Sequence, residues 1–167
     1  MLRPAEADIG ALIEALSDAG VAFIVVGGAA ALLHGAPIAT RDLDIVPERT
    51  ADNRDKLATA LESLDAIVRE PGGRELRPSR THLDGNGQIL LRTNLGPLDV
   101  LLRLHAGEDY AALVPDSVER EGDGLTIRML SLPKLIAIKA ATGRARDRIT
   151  VPLLLELLRR EEAEATD

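Results

Sequence analysis

One part of the sequence decides the fold: FIVVGGAAALLHG at residues 23–35, followed by TRDLDI at residues 40–45. Residues 21–26 are short and rich in β-branched side chains, and Gly27 and Gly28 follow them, which predicts a buried strand. Residues 29–33 favour a helix. Residues 42–46 alternate acidic and apolar side chains. The pattern therefore predicts a strand, a glycine pair, a short helix, and a second strand with one polar face.

Asp42 and Asp44 lie two residues apart in the second strand, so their side chains point to the same face. Two neighbouring carboxylates repel, and each raises the pKa of the other unless a cation lies between them. Hard oxygen ligands of this kind suit Mg²⁺ or Mn²⁺. The pair predicts a divalent-metal site, and a solvated acidic strand face is the alternative.

Gly27 and Gly28 stand where the first strand meets the helix. Because glycine has no Cβ, backbone N–H groups and the helix N-terminus can approach a phosphate closely. This turn is therefore predicted to hold the phosphates of a nucleoside triphosphate. A tight strand-to-helix turn without a ligand is the alternative.

Asp99 is the third candidate carboxylate, because it lies in the apolar segment 98–104, which is predicted to be a strand. A charged side chain in such a strand is unfavourable unless it is paired or bound to a metal. Asp99 is expected either to activate an attacking hydroxyl or to complete a two-metal site. A structural salt bridge is the rival interpretation.

The remaining elements follow from periodicity and capping residues. Helices are expected over residues 4–19, after Thr50 through 57–64, after Ser131 with Pro133 in the first turn, and from about Thr150 with Pro152 in the first turn. Strands are expected around Ile67 and over 89–93, 98–104, 118–119 and 125–129, with a loop or loose hairpin at 70–87. This order predicts a mixed α/β or α+β fold.

The composition narrows the class of protein. A chain of 167 residues suits one domain, with its core at about 20–130 and a C-terminal helical part at 131–164. The net charge of -7 argues against general electrostatic binding of nucleic acid. Phe23 and Tyr110 are the only aromatic residues, which argues against binding of single strands by aromatic stacking. The absence of cysteine excludes thiolate chemistry. No segment resembles a signal peptide or a membrane span, so a cytoplasmic protein without a membrane partner is expected.

The apolar-Gly-Gly segment, the Asp-x-Asp pair and the later single Asp together resemble the DNA polymerase β-like nucleotidyltransferase superfamily. Within it, the residues from Gly27 to Asp44 are similar to a small bacterial group related to the AbiEii-type toxins. The resemblance implies a mixed sheet flanked by helices, and Mg²⁺- or Mn²⁺-dependent transfer of a nucleoside monophosphate from an NTP. It also implies that Asp42 and Asp44 bind metal and that Asp99 is a metal-linked base.

The same resemblance extends to the phosphate-binding residues, which would be Gly27, Gly28, Thr40, Arg41 and Lys139. Lys139 precedes Arg144, Arg146 and Asp147, an arrangement similar to a later helix motif of the family. The chain departs from the group's pattern in two places. It has Pro37-Ile38 where relatives often carry an arginine, and Thr150 where they often carry a second Asp.

Several functions remain open at this point. The acceptor could be an RNA end, a protein side chain or a small molecule, and the chain could be a toxin–antitoxin component. The alternatives are a non-catalytic, antitoxin-like partner protein that keeps the fold, and a nucleotide sensor without turnover. The leucine-rich segment 153–158 is expected to pack on the domain, on a protein partner or in a homodimer. The charged residues beside the 70–87 loop could meet a polyanionic substrate, but a run of solvated charge is the favoured interpretation: Arg69, Arg74, Arg77, Arg80 and His82.

Overall fold

A seven-stranded mixed sheet organises the protein, whose computed structural model describes residues 3–70 and 72–167. The strands are β1 (Phe23–Val26), β2 (Leu43–Pro47), β3 (Ile67–Val68), β4 (Gln88–Thr93), β5 (Gly96–Leu101), β6 (Ser117–Gly122) and β7 (Leu125–Leu130). The helices are α1 (Ile9–Asp18), α2 (Gly27–Leu33), α3 (Ala51–Ser63), α4 (Arg80–Leu83), α5 (Tyr110–Leu113), α6 (Leu132–Thr142) and α7 (Ala145–Ala165), and a 3₁₀ turn spans Val114–Asp116. The predicted mixed sheet flanked by helices is therefore confirmed.

The order of the strands brings distant parts of the chain together. Across the sheet the order is β3-β4-β5-β2-β1-β7-β6. The pairs β1–β7 and β2–β5 are parallel, and the other neighbours are antiparallel. As a result β2 lies at the centre, between β1 on one side and β5 on the other.

The two faces of the central strands have opposite character. Leu43 and Ile45 of β2 and Leu98 and Val100 of β5 are fully buried on one face. They belong to the same core as the apolar side chains of α1 and α3. Because side chains alternate along a strand, the intervening residues of β2 and β5 point to the other face. That other face is where acidic side chains can reach a ligand.

Polar side chains begin the helices at positions that the sequence indicates. Thr50 Oγ1 accepts a hydrogen bond from the N–H of Asn53, and Ser131 Oγ accepts one from the N–H of Lys134. Both predicted caps are confirmed. Asp8 caps α1 in the same way. The first helix therefore begins at Ile9, and the prediction that it begins near residue 4 was wrong.

The start of α7 also differs from its prediction. Gly143 ends α6 in the left-handed conformation, as expected for a helix-terminating glycine. The chain re-enters a helix at once, so α7 begins at Ala145 and Pro152 lies inside it. The proline was expected in the first turn because its missing N–H is tolerated there. The earlier start places Asp147 in the first turn of α7, where it is buried, whereas a helix beginning near Thr150 would have left Asp147 in the preceding loop.

Residues 72–87 are more ordered than their composition suggests, and residue 71 of the predicted loop or loose hairpin lies outside the described residues. The segment contains α4, whose N-cap Ser79 and His82 form a reciprocal capping box. An isolated antiparallel bridge pairs Val68 with Leu76, which agrees with the loose hairpin. Short-range side-chain capping adds a one-turn helix that was not predicted.

The apolar segment near the C-terminus packs mainly on the protein's own core. Leu154 is fully buried, and Leu157 and Leu158 pack against the core. Leu155 and Ile149 remain exposed on α7. Among the described residues, none of the helices is both long and apolar enough to cross a bilayer.

Candidate active site

Three carboxylates meet on the open face of the central strands. The parallel register of β2 and β5 places Asp44 directly beside Asp99, and Asp42 lies one residue before β2. One carboxylate oxygen from each of the three residues lies within 4.8 Å of the others. Their convergence depends on two strands that are more than fifty residues apart in sequence, so the fold itself assembles the cluster.

Asp44 is the most perturbed of the three carboxyls. Burial, and then the charge of Asp42, raise the pKa of Asp44 to about 6, against the opposing effects of Arg69, Arg146 and Lys139. The Asp44 Oδ1 atom is buried and has no hydrogen-bond partner in the described part of the chain. A buried carboxylate oxygen without a donor is unfavourable unless a cation or a proton satisfies it.

Arg69 lies at the triad, in contrast to its interpretation as a solvated loop charge. Its Nη2 contacts Asp99 Oδ1, and its Nη1 is 4.0 Å from Asp42 Oδ1. The backbone N–H of Arg69 donates to the carbonyl of Leu90, and Leu90 is the β4 partner of Asp99. The interpretation was wrong because the side chain's position depends on the pairing of β3 with β4, which the local charge pattern does not reveal.

Gly27 is required by the approach of Asp44. Its φ of +64° is in the left-handed region, and a Cβ built on it would lie 2.5 Å from Asp44 Oδ2. A Cβ on Gly28 would lie 2.9 Å from Thr40 Oγ1. Thr40 in turn donates to the carbonyl of Asp42. The two glycines therefore allow the turn after β1 to press against the acidic strand and its preceding loop.

The triad borders a cavity of about 1090 Å³. Its lining includes every residue that the sequence analysis proposed for phosphate binding: Gly27, Gly28, Thr40, Arg41 and Lys139. Seven Lys or Arg side chains and five Asp or Glu side chains line it: Arg3, Arg41, Arg69, Arg92, Lys139, Arg144, Arg146, Glu6, Asp42, Asp44, Asp99 and Asp147. In a protein of net charge -7, this is a local concentration of positive charge around an acidic centre.

Lys139 and Asp147 tie the two C-terminal helices together at the cavity. Lys139 Nζ is 3.6 Å from Asp147 Oδ1, and Thr142 Oγ1 donates to Asp147 Oδ2 at 2.6 Å. Burial alone would raise the pKa of Asp147, but the Thr142 hydrogen bond and the Lys139 charge outweigh it and lower that pKa. Asp147 is thus ionised and holds the lysine beside the cavity.

The two departures from the family pattern also lie at this cavity. Ile38 and Thr150 both line it, and Thr150 Oγ1 donates to the carbonyl of Arg146. An apolar side chain and a hydroxyl therefore line the cavity at these two positions. His34, by contrast, has a nearly buried side chain whose Nε2 is 2.7 Å from the carbonyl of Leu130. This agrees with its interpretation as a packed residue.

The cluster fits a divalent cation by its donor set. Asp42, Asp44 and Asp99 offer carboxylate oxygens, the ligands that hard cations prefer. The buried Asp44 Oδ1 has no hydrogen-bond partner among the described residues, and a bound cation would satisfy it. The residues present are therefore suited to hold such an ion.

The comparison with solved structures identifies the fold. The lincosamide antibiotic adenylyltransferase LnuA, bound to lincomycin, matches with a TM-score of 0.64 and 13% identity, over 92% of this chain and 99% of that one. ANT(2'')-Ia, in complex with adenylyl-2''-tobramycin, matches with a TM-score of 0.56 and 17% identity, over 94% and 91%. The Thermotoga maritima protein TM1012, provisionally assigned as a nucleotidyltransferase, matches with a TM-score of 0.54 and 19% identity, over 88% of this chain and 89% of that one.

The chain thus has the nucleotidyltransferase fold. At identities of 13–19% the likeness establishes the fold alone. No protein-family model matches the sequence, and no curated protein matches it with significance. The AbiEii-type grouping therefore stays a prediction.

Proposed function

We propose that this protein is a nucleotidyltransferase that moves a nucleoside monophosphate from an NTP to a hydroxyl acceptor. The observation that carries the proposal is the convergence of Asp42, Asp44 and Asp99 at the base of a cationic cavity. An acidic cluster suits a metal ion, and the surrounding arginines and lysine suit a polyphosphate. Few other ligands need both kinds of charge within one cavity.

Asp42 and Asp44 would hold a divalent ion, Mg²⁺ or Mn²⁺, together with Asp99. When bound, such an ion would neutralise phosphate charge and lower the pKa of a hydroxyl that is coordinated to it. The role of this chain's own residues is to fix that position. Asp44 and Asp99 are held by the register of paired strands, so their carboxylates need little rearrangement on binding.

The triphosphate would lie against Gly27 and Gly28, with Thr40, Arg41 and Lys139 around it. Support comes from the cavity lining, which includes all five residues, and from the missing Cβ atoms that leave the turn accessible. Arg146 adds charge close to Asp44, since it lowers the pKa of that carboxyl. These cations would orient the leaving pyrophosphate.

Asp99 would accept the proton of the acceptor hydroxyl. The acceptor oxygen then bonds to the α-phosphorus, the bond from that phosphorus to the bridging oxygen breaks, and pyrophosphate leaves. Asp99 is assigned this role because the parallel register of β5 with β2 holds its carboxylate beside Asp44, at the cluster where a divalent ion would lie.

The charge of the cavity bears on the acceptor, for which an RNA end, a protein side chain and a small molecule all remain candidates. ANT(2'')-Ia has been solved in complex with adenylyl-2''-tobramycin. In the present cavity the acids outside the triad are Glu6 and Asp147, and Asp147 is already engaged by Lys139. Such a lining would repel a polyamine, so a neutral or anionic acceptor is favoured.

One observation favours a second candidate, a nucleotide-binding protein without turnover. Arg69 contacts the carboxylate that would serve as the base. If that contact persisted with nucleotide bound, Asp99 could not accept a proton efficiently. Binding of a labelled NTP without product would support this alternative.

The test is incubation with each α-³²P-labelled NTP and Mg²⁺ or Mn²⁺, with bulk tRNA, cell extract or a panel of small hydroxyl compounds. Label transferred by the wild type and lost in Asp44→Asn would support the enzyme. The matched control is Asp52→Asn, which removes one carboxylate from a side chain that is 79% exposed on α3. Absence of transfer with every NTP and acceptor, from folded protein, would contradict the proposal.

A toxin role and a protein partner belong to the same proposal and need a separate test. The exposed Ile149 and Leu155 on α7 would be the contact surface for a partner or a second copy. Induced expression would arrest growth for the wild type and not for Asp44→Asn. Growth arrest by both would exclude nucleotide transfer as its cause.

A further inference from the structure

The guanidinium of Arg69 lies against the same carboxylates that are suited to hold a metal ion. Its Nη2 contacts Asp99 and its Nη1 lies 4.0 Å from Asp42, so the guanidinium spans two of the three carboxylates. It also lowers the pKa of the third, Asp44. One side chain therefore provides the positive charge nearest to the whole triad.

The buried part of this guanidinium is committed to the triad. Arg69 Nε is buried and donates no hydrogen bond within the part of the chain that the structure describes. In an arginine with a purely structural role, the guanidinium N–H groups normally donate to backbone carbonyls or to a carboxylate in an ion pair. Arg3 does so, donating to the backbone and side chain of Asp65. Among the described residues, the head group of Arg69 contacts Asp99 and Asp42 and has no backbone partner of this kind.

The backbone at Arg69 is held while the side chain is placed to move. Its N–H donates to Leu90 O at 2.8 Å, directly after β3. The side chain is 24% exposed and reaches a cavity that also contains Lys139 and Arg146. A rotation about its side-chain bonds would carry the charge from the carboxylates to a bound phosphate without moving the strand.

We propose that Arg69 is a built-in counter-cation that competes with the divalent ion for Asp99 and passes to the nucleotide's phosphates when the metal binds. This inference rests on the proposed function, because it takes the triad as a metal site. A guanidinium and a divalent ion cannot share one carboxylate oxygen closely without strong repulsion. Arg69 therefore weakens binding of metal alone and makes strong metal binding depend on a nucleotide, which gives the displaced arginine a new partner.

The test measures Mn²⁺ binding without nucleotide, by electron paramagnetic resonance of the free ion. Arg69→Gln removes the competing charge, so the dissociation constant for Mn²⁺ should fall by about tenfold or more. The matched control is Arg92→Gln, because Arg92 lines the same cavity, is exposed on β4 and forms no ion pair in the described part of the chain. Arg92→Gln should change the dissociation constant for Mn²⁺ by less than about threefold.

A second variant keeps the result interpretable if the glutamine protein folds poorly. Arg69→Lys retains the charge, and its Mn²⁺ dissociation constant should stay within about threefold of wild type. Far-UV circular dichroism checks the fold of each variant. A purely structural arginine would instead give weaker Mn²⁺ binding in Arg69→Gln, because the site would be disordered.

The outcomes separate this inference from the function on which it rests. Equal Mn²⁺ affinity in wild type, Arg69→Gln and Arg92→Gln would overturn the role of Arg69 and leave the metal site standing. Tighter binding in both glutamine variants to the same degree would also overturn it, since net charge alone would then explain the change. No Mn²⁺ binding by any of the folded proteins would overturn both the inference and the metal site.

Discussion

The two walls of the cavity are built in different ways. On the strand wall, Asp44 and Asp99 are fixed by the parallel register of β2 and β5. On the helix wall, Arg144 and Arg146 are exposed at the junction of α6 and α7 and form no ion pair among the described residues. The strand wall is thus suited to a small ion that needs fixed ligands, and the helix wall to a larger, flexible polyanion.

The largest expected effect comes from breaking the strand wall. Asp44→Asn should lower nucleotide transfer by about 10³-fold or more, because metal ligands act as a unit in such sites. The measurement is the initial rate of label transfer under Mg²⁺, beside the Asp52→Asn control. A loss of less than about tenfold would show that Asp44 is not part of the chemical centre.

The next effect concerns the turn between β1 and α2, which lies against the strand wall at Asp44. Gly27→Ala places a methyl 2.5 Å from Asp44 Oδ2 and strains a backbone of φ +64°, so transfer and Mn²⁺ affinity should both fall by about 100-fold. Gly35→Ala is the control, since its φ is +95° but no atom lies within 4 Å of the added Cβ. If both variants behave alike, backbone strain explains the loss and the contact with Asp44 does not.

The contrast between the walls also shows what the sequence could predict. Gly27, Asp42 and Asp44 lie within one short segment, and strand periodicity places the two carboxylates on one face. Asp99 could be predicted because a lone acid in an apolar strand needs a partner. Local signals were enough for these residues, since each depends on the strand in which it lies.

Other features depend on pairing between distant segments, which local patterns do not contain. Arg69 reaches the triad through the register of β3 with β4 and of β4 with β5. The junction of α6 and α7 depends on Asp147, which is buried against Lys139 and Thr142. Pro152 suggested a later start for α7, but these tertiary contacts stabilise an earlier one and outweigh the local preference of proline.

A smaller effect is expected on the helix wall. Lys139→Met should raise the KM for NTP by about tenfold, because one charge-assisted contact with phosphate is lost. The Mn²⁺ affinity without nucleotide should stay nearly unchanged. Lys134→Met is the matched control on the same helix, because Lys134 pairs with Glu108 at 2.7 Å and does not line the cavity. A large loss of Mn²⁺ affinity in Lys139→Met would remove the distinction between the two walls.

The smallest effect is a pH dependence of stability. The pKa of Asp44 is about 6 in the folded protein and 3.8 as a free group, so between these values the folded state binds more protons. The free energy of unfolding should therefore fall as pH rises through this window in metal-free protein. Asp44→Asn removes this pH-dependent contribution to stability. The melting temperature of the variant minus that of the wild type should therefore be a few degrees larger at pH 7.5 than at pH 4.5. Thermal melts in EDTA measure it, and a pH-independent difference would contradict the assigned pKa.

The most direct test of the site is a crystal structure with Mn²⁺ and a non-hydrolysable NTP analogue, using anomalous scattering to locate the metal. We expect a manganese peak in contact with Asp42, Asp44 and Asp99, with the triphosphate between that peak and Gly27. We also expect that Arg69 no longer contacts Asp99. A nucleotide bound elsewhere, or a cluster without manganese beside a bound nucleotide, would contradict the assignment of this cavity as the nucleotidyltransferase site.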